Sequence, residues 1–338
     1  MDAILAIGVP TAVADLSEAV LTAPVSKPMA AVLLDRGESV TVADRAVRSG
    51  QPIANLEPRL PIYSYPENAA RALGHAASYR EWRDSQHGQV PELADVDAAG
   101  AHALVTAFLA DRPDGGWLAA PDAAALLASY QIVMVDTRAV TDKAAAVAAA
   151  ADLGGDVVLK ADVAGLVHKT DAGAVKLDLR TSEEVADAYA ELAAAFGNDL
   201  RRVLVQPMLS GGVETLVGVV QEPVFGPLAV FGLGGVATDV LGDRAARLAP
   251  LTDSDAEQMI SGVHAAPLLF GYRGSPAVDT AALADLLLRV SRLSDDLPEV
   301  AELDLNPVIA RPDGAHVVDV RIRIAPTVPK DPFLRQLR

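Results

Sequence analysis

The chain has 338 residues, which at about 150 residues per domain predicts two domains with ample material for a core. Its 28 basic and 45 acidic residues give a net charge of −17, which argues against duplex-DNA binding because phosphate contacts need clustered cations. Cysteine is absent, so disulfides, iron–sulfur clusters, Cys-ligated zinc and a cysteine nucleophile are excluded. No apolar run reaches the roughly 18 residues of a transmembrane helix, and the N-terminus has no signal-peptide pattern. We therefore predict a cytoplasmic chain with no membrane partner.

The first 83 residues begin with two short aliphatic strands, over 3–9 and 28–34. A third strand is predicted at 61–65, and a helix follows from Pro66, since proline is favoured in the first helical turn. Apolar residues recur along that helix at helical spacing: Ala70, Leu73, Ala77 and Trp82. Because so few strands cannot close a stable sheet, we expect this region to be part of a larger parallel α/β domain that begins outside this chain.

A polar stretch with Gly and Pro at 84–94 is the predicted linker, and the rest of the chain mixes helices and strands without strict alternation, which favours an α+β fold. Helices are predicted at 97–111, 121–130 and 141–153, and strands at 132–136, 156–161, 173–179, 203–208, 213–220 and 228–231.

Thr181 and Glu184 form a capping box for a further helix. An amphipathic helix carries the stripe Leu283, Leu286, Leu287, Val290 and Leu293. The strands 203–208 and 213–220 look antiparallel.

A terminal hairpin, with strands at 302–310 and 317–323, is the most specific pattern. The period of a strand puts Asp304 and Asn306 on one face, and Asp319 with Arg321 on one face across the turn. If the apolar faces align, Asp304, Asn306 and Asp319 converge. Two carboxylates and an amide oxygen suit Mg²⁺, which prefers oxygen ligands and keeps waters. The alternative is a polar, solvated face on an edge hairpin.

A second pattern is the lysine-rich segment 160–176, which holds three of the six lysines. The apolar strand that ends at Lys160 places an ammonium group at the end of the strand. The loop after it carries His168 between lysines. Nearby cations suit a histidine that accepts a phosphoryl group, because they stabilise the transferred charge. A solvated hairpin face and a merely structural or exposed histidine are the alternatives.

A third pattern, Gly-x-Gly-x-x-Ala at 232–237, matches a dinucleotide-binding fingerprint. No strand–helix–strand unit surrounds it, so we interpret these glycines, Gly234 and Gly235 among them, as a tight strand turn near a nucleotide.

Taken together, the motifs resemble the ATP-grasp region of the NDP-forming acyl-CoA synthetases, relatives of succinyl-CoA synthetase. The resemblance covers about 95–325 and rests on motifs in chain order: Val157–Lys160, His168–Asp171, Val205–Met208 with Glu214 and Gly218, Phe225–Pro227 with Gly232–Gly235, Asp243, and Glu302–Pro307 with Asp319. Residues 1–83 resemble the end of the preceding CoA-ligase domain. One departure is Gln131, which stands where the family usually has glycine.

The resemblance implies an α+β ATP-grasp fold of two α+β subdomains over 95–330. A partial parallel α/β, flavodoxin-like ligase domain over 1–83 precedes it, joined by the linker 84–94. It also implies a reversible reaction in which ATP, an organic acid and CoA give acyl-CoA, ADP and phosphate through phosphohistidine. The cofactors would be ATP or ADP and Mg²⁺, with CoA as a substrate of the full enzyme.

Residue roles follow from the same resemblance. Lys160 would bind ATP phosphates, and His168 would be the second phosphate-carrying histidine, on a moving loop. Glu214 would contact the nucleotide or its metal. The hinge Val205, Gln206, Pro207 and Met208 would read adenine through its backbone. Asp304, Asn306 and Asp319 would hold Mg²⁺.

The family's primary phosphorylated histidine lies upstream, so the implied partners are a small organic acid and the remaining CoA-binding and ligase domains, in cis or in trans. A homo-oligomer is left open. Two other functions also remain open: a ligand-sensing, synthetase-like module of a protein lysine acetyltransferase, and an ATP-grasp ligase that joins an acid to an amine.

Overall fold

The computed structural model describes residues 3–8, 27–33, 61–84, 88–163, 172–234 and 242–327. The helices are α1 (Pro66–Asp84), α2 (Ala98–Asp111), α3 (Ala120–Ser129), α4 (Lys143–Leu153), α5 (Ser182–Phe196), α6 (Asp253–Gly262) and α7 (Thr280–Asp296). The first strands are β1 (Ile4–Gly8), β2 (Met29–Leu33), β3 (Ile62–Tyr63), β4 (Gly116–Trp117), β5 (Arg138–Val140), β6 (Val157–Val163) and β7 (Val175–Leu179). The remaining strands are β8 (Leu200–Pro207), β9 (Val213–Glu222), β10 (Gly226–Leu233), β11 (Arg244–Leu248), β12 (Val300–Arg311), β13 (Gly314–Val317) and β14 (Val320–Ile324). The chain divides into two compact units, 1–86 and 87–338.

The first unit contains the parallel sheet β1-β2-β3 and helix α1, as the sequence predicts. The predicted helix is present, but its apolar residues at helical spacing do not form a buried stripe. Within α1, all of which is described, only Ala69 is buried, whereas Ala70, Ala77 and Trp82 are exposed. Ala69 packs against Ala30 and Val32 of β2. A three-stranded sheet covers only one narrow strip of a helix, which leaves most of α1 in solvent.

The second unit contains two sheets. The smaller sheet has the order β5-β8-β6-β7, with antiparallel neighbours. Helices α4 and α5 pack against this sheet, and Ala146 of α4 and Leu192 of α5 belong to the shared core. Helix α5 begins at the predicted capping box: the Glu184 N–H donates to the Thr181 hydroxyl at 3.1 Å, and the Thr181 N–H donates to the Glu184 carboxylate at 3.0 Å.

The larger sheet has the order β11-β10-β9-β12-β14-β4, and β13 pairs with β12. Helix α7 packs on it through the predicted stripe, whose five residues, Leu283, Leu286, Leu287, Val290 and Leu293, are all buried. Helices α2, α3 and α6 contribute to the same core. The mixture of antiparallel sheets and helices confirms the α+β prediction.

The predicted strand at 132–136 is wrong. Met134 makes a single parallel bridge to Val317, the Val135 N–H donates to the Val317 carbonyl at 3.0 Å, and the regular strand β5 begins only at Arg138. The chain leaves the larger sheet at Met134 and joins the smaller sheet at Arg138, so the intervening residues cannot form a ladder with either.

Strands β8 and β9 also differ from expectation, because they are neighbours in sequence but belong to different sheets. The crossing is tight: Gly212 has a φ of +93°, and a Cβ on it would lie 2.7 Å from the Ala310 carbonyl oxygen. Residues 208–212 therefore carry the chain from one sheet to the other. None of the helices within the described ranges has the length and apolarity that crossing a bilayer requires.

Candidate functional site

A cavity of about 670 Å³ is lined by residues of both sheets in the second unit. The smaller sheet contributes Lys160 from β6 and Gln206 from β8. Asp319 and Arg321, beside and within β14, line it from the larger sheet. The segment 132–137, which runs between the sheets, forms another part of the wall.

Lys160 reaches the cavity because of strand alternation. Its neighbours Leu159 and Ala161 are buried in the core of the smaller sheet, so the Lys160 side chain points to the opposite face. The residue is only 6% exposed, and its ammonium donates to the Val318 carbonyl oxygen at 3.2 Å. Such a poorly hydrated ammonium interacts strongly with an anion that enters the cavity.

Gln206 is 2% exposed and belongs to a hydrogen-bond network. Its side-chain Nε2 donates to the Thr137 hydroxyl at 2.8 Å and to the Val318 carbonyl at 3.1 Å. Its Oε1 is buried and, among the residues that the structure describes, has no donor. A buried acceptor without a donor is unfavourable, so this atom still lacks the hydrogen-bond partner that would stabilise it.

The rest of the predicted hinge is less accessible. Val205 is fully buried in the core and pairs with strands on both sides, and Pro207 has no N–H. The Met208 N–H already donates to the Asp156 carbonyl at 2.8 Å. The backbone N–H groups of this segment are therefore largely used within the protein, and adenine recognition by the hinge stays a prediction, for which the Gln206 side chain is the best placed group.

The terminal hairpin has the predicted register, with Asp304 opposite Arg321 and the buried Leu303 opposite Ile322. It is interrupted, however, between β13 and β14. Residues 318 and 319 lie outside both strands, so the single continuous strand predicted at 317–323 is wrong. The interruption exposes the Val318 carbonyl to Lys160 and Gln206, and the Asn306 N–H donates to the Asp319 carbonyl at 3.3 Å.

The Asp304 carboxyl is largely buried among charges of both signs. Burial raises the pKa of the Asp304 carboxyl, and the negative charges of Glu302 and Asp319 raise it further, against the opposing effects of Arg321 and Arg244. A cation bound beside Asp304 would stabilise the charged form of this buried carboxyl. The described residues hold no cluster of three His, Cys, Asp or Glu side chains suited to a metal. The predicted set of Asp304, Asn306 and Asp319 contains two carboxylates and an amide, and these hard oxygen donors fit Mg²⁺.

Glu214 of β9 and Gly234, which directly follows β10, lie next to each other. The Gly234 N–H donates to the Glu214 carbonyl at 2.7 Å, and a Cβ on Gly234 would lie 3.1 Å from the Glu214 Cβ. Strand β10 runs antiparallel between β9 and β11, which agrees with our rejection of a dinucleotide-binding fingerprint. Neither residue is among those that line the cavity. His168 and Gly235 lie outside the described residues, so their predicted roles stay predictions.

The lysine-rich segment does not act as one cluster. Lys160 lines the cavity, but Lys176 on β7 pairs with Glu191 of α5. Lys169 lies outside the described residues. The sequence analysis did not predict two residues that line the cavity, Thr137 and Trp117. The Trp117 ring centroid lies 4.7 Å from the Arg321 guanidinium carbon. The isolated Trp117 offered a weak signal, and Thr137 offered none.

The ATP-grasp domain family matches residues 110–324 of this chain. The beta subunit of acetate–CoA ligase [ADP-forming] I from Pyrococcus furiosus is 37% identical over 210 residues, which cover 61% of this chain and 90% of that subunit. Acetate–CoA ligase [ADP-forming] I from Archaeoglobus fulgidus is 34% identical over 291 residues, 85% of this chain and 41% of that protein.

Among solved structures, the Ca. Korarchaeum cryptofilum acetyl-coenzyme A synthetase 1 in complex with coenzyme A and Mg-AMPPCP is 39% identical, with a TM-score of 0.57. The match covers 66% of this chain and 99% of that one, and the phosphohistidine segment of that complex points towards its nucleotide binding site. The chain thus spans most of a beta subunit but less than half of the longer ligase. It belongs to the ATP-grasp family and, within it, to the ADP-forming acyl-CoA ligases.

Proposed function

We propose that this chain is the nucleotide-binding, ATP-grasp part of an ADP-forming acyl-CoA ligase. The complete enzyme converts an organic acid, ATP and CoA into acyl-CoA, ADP and phosphate. Within it, residues 95–330 form the ATP-grasp part, 84–94 the linker and 1–83 the end of a CoA-ligase domain. The task of this chain is to bind Mg-ATP and to pass its terminal phosphoryl group through His168.

The observation that carries the proposal is the pairing of opposite charges across one cavity. The smaller sheet presents the ammonium of Lys160, and the larger sheet presents the carboxylate of Asp319, whose charge helps to raise the pKa of the Asp304 carboxyl. A nucleotide polyphosphate with its metal carries both complementary charges. Lys160 would hold phosphate oxygens, and Glu214 would contact the nucleotide or its metal.

Asp304, Asn306 and Asp319 would hold the Mg²⁺ ion. When bound, the ion neutralises phosphate charge and makes the terminal phosphorus more open to attack. Arg321 lies beside Asp304 and compensates part of the carboxylate charge in its absence. The Trp117 ring holds that guanidinium in place through a cation–π contact.

The partners follow from the relatives. The Pyrococcus protein is a beta subunit, and the Archaeoglobus protein is more than twice as long as the matched region. We infer that CoA and a small organic acid are bound with further ligase domains, supplied in cis or in trans. The ligand-sensing alternative has no support among these relatives, all of which are named as ligases or synthetases.

Labelling with [γ-³²P]ATP tests the proposal. In the presence of Mg²⁺ and the complementary ligase domains, the chain should acquire acid-labile label, and His168→Ala should abolish it. His102→Ala removes an exposed histidine of α2 and should leave the label unchanged. If a folded wild-type chain acquires no label under these conditions, the proposed function is wrong.

A further inference from the structure

We infer that Thr137 makes this chain prefer adenine to guanine nucleotides, by fixing the direction of the Gln206 side-chain amide. The inference rests on the proposed function, because it assigns a specificity to the same nucleotide site. Thr137 is a positioning residue here, since it acts through Gln206.

The hydrogen-bond network allows only one orientation of the amide. The Thr137 hydroxyl donates its single hydrogen to the Val135 carbonyl at 2.8 Å, so its oxygen can only accept from Gln206. The second hydrogen of the Gln206 amide goes to the Val318 carbonyl. A flipped amide would place its oxygen against two groups that have no hydrogen to donate.

The two acceptors are also held together by the backbone. The Val135 N–H donates to the Val317 carbonyl, so the residue that orients Thr137 is tied to the residue before Val318. Met134 makes its bridge to the same Val317. The amide of Gln206 is therefore held from two sides by one connected piece of backbone.

Gln206 lines the cavity, and this arrangement leaves its Oε1 as a buried acceptor without a donor among the described residues. Lys160 donates to the same Val318 carbonyl as Gln206, so the amide lies beside the ammonium that would hold phosphate. In the inferred arrangement, the phosphates of a nucleotide lie at Lys160 and its base edge lies at Gln206.

The two purines differ at the corresponding position. Adenine carries an exocyclic amino group, which donates, whereas guanine carries a carbonyl oxygen, which accepts. The amino group of adenine would satisfy Oε1, but the guanine oxygen would face it without a hydrogen between them. A site that leaves a buried polar group unpaired rejects the wrong ligand strongly.

The test is calorimetric titration of the chain with Mg-ADP and Mg-GDP. We expect the wild type to bind Mg-ADP about 30-fold more tightly than Mg-GDP, because Mg-GDP binding would leave one buried acceptor unsatisfied. Thr137→Val keeps the shape but removes the hydroxyl, and should lower the ADP-to-GDP ratio about 5-fold. Thr137→Ser restores the hydroxyl and should restore the ratio. Gln206→Met removes the amide and should bring the ratio close to one.

A general loss of structure would weaken both nucleotides equally, so the ratio separates positioning from folding. If Thr137→Val unfolds the chain, Thr137→Ser and Gln206→Met provide the same comparison. An unchanged ratio in Gln206→Met, or in a folded Thr137→Val, overturns the inference. Equal binding of both nucleotides by the wild type overturns the inference alone, whereas binding of neither overturns the proposed function as well.

Discussion

The two sheets of the second unit bring different chemistry to one cavity. The smaller sheet presents donors, the Lys160 ammonium and the oriented Gln206 amide. The larger sheet presents the carboxylate of Asp319, whose charge acts on the nearby Asp304 carboxyl, as does the opposing charge of Arg321. A ligand that satisfies both sheets must carry anionic groups and a cation together. Under the proposed function, the two sheets together form the nucleotide site.

The sheets also differ in how their functional residues are supported. On the smaller sheet, strand alternation places Lys160 opposite a packed core. On the larger sheet, the break between β13 and β14 places Asp319 at the cavity and the Val318 carbonyl against Lys160 and Gln206. Regular structure therefore supplies one half of the site, and an interruption in regular structure supplies the other half.

The largest expected effect is on the core behind the smaller sheet. Leu192→Ala should lower the free energy of unfolding by about 3 kcal/mol, because it removes a fully buried side chain and leaves a cavity. Leu177→Ala changes an exposed leucine of the same sheet and should cost less than about 0.5 kcal/mol. Urea denaturation measures both. Equal effects would show that α5 does not pack on this sheet as described.

The charge of the smaller sheet is tested at Lys160. Lys160→Met should weaken Mg-ADP binding about 100-fold, because it removes a charged donor worth up to 3 kcal/mol. Lys176→Met is the matched control, since Lys176 is on the same sheet but pairs with Glu191. It should bind Mg-ADP like the wild type in calorimetry. If Lys160→Met also binds normally, the cavity is not the nucleotide site.

The charge of the larger sheet is tested at Asp319. Asp319→Asn keeps the oxygen that accepts the Val320 N–H but removes the charge. We expect Mg-ADP affinity to fall about tenfold, because the substitution removes the free energy of one charge-assisted contact. Affinity measured in EDTA should stay the same or rise. Asp313→Asn, in the hairpin turn, is the control, and equal magnesium dependence in both variants would contradict the assignment.

The smallest expected effect is at Gln131, which begins the segment that crosses between the sheets. Its φ of +57° is a left-handed conformation that favours glycine, and its side chain donates to the Asp95 carbonyl at 3.0 Å. Gln131→Gly removes the strain but loses that hydrogen bond, so thermal unfolding should show a gain of about 0.5 kcal/mol. A loss of stability would mean that the Asp95 contact outweighs the strain.

The sequence predicts the parts of this molecule that depend on neighbouring residues. The stripe of α7, the capping box at Thr181 and the two faces of β12 follow from periodicity and local hydrogen bonding. Lys160 and Asp319, predicted from strand patterns and from family resemblance, both line the cavity, and their roles stay predictions. Each of these features is set by residues close together in the chain.

The contacts that the sequence could not predict join distant residues. Thr137 and Gln206 are 69 residues apart, and Gln206 is 112 residues from Val318. The separation of β8 and β9 into different sheets has the same origin, because only the partners of each strand decide its sheet. Local propensity contains no information about such partners. The crossings between the sheets are therefore where prediction fails and where the site is assembled.

The most direct measurement for the central claim is calorimetric titration of the wild-type chain with ADP, in the presence and absence of Mg²⁺. The account predicts one Mg-ADP bound per chain, with weaker binding when EDTA removes the metal. It also predicts that Lys160→Met and Asp319→Asn each weaken that same binding event. A folded wild-type chain that binds no ADP, or a binding event that neither substitution changes, would contradict the account.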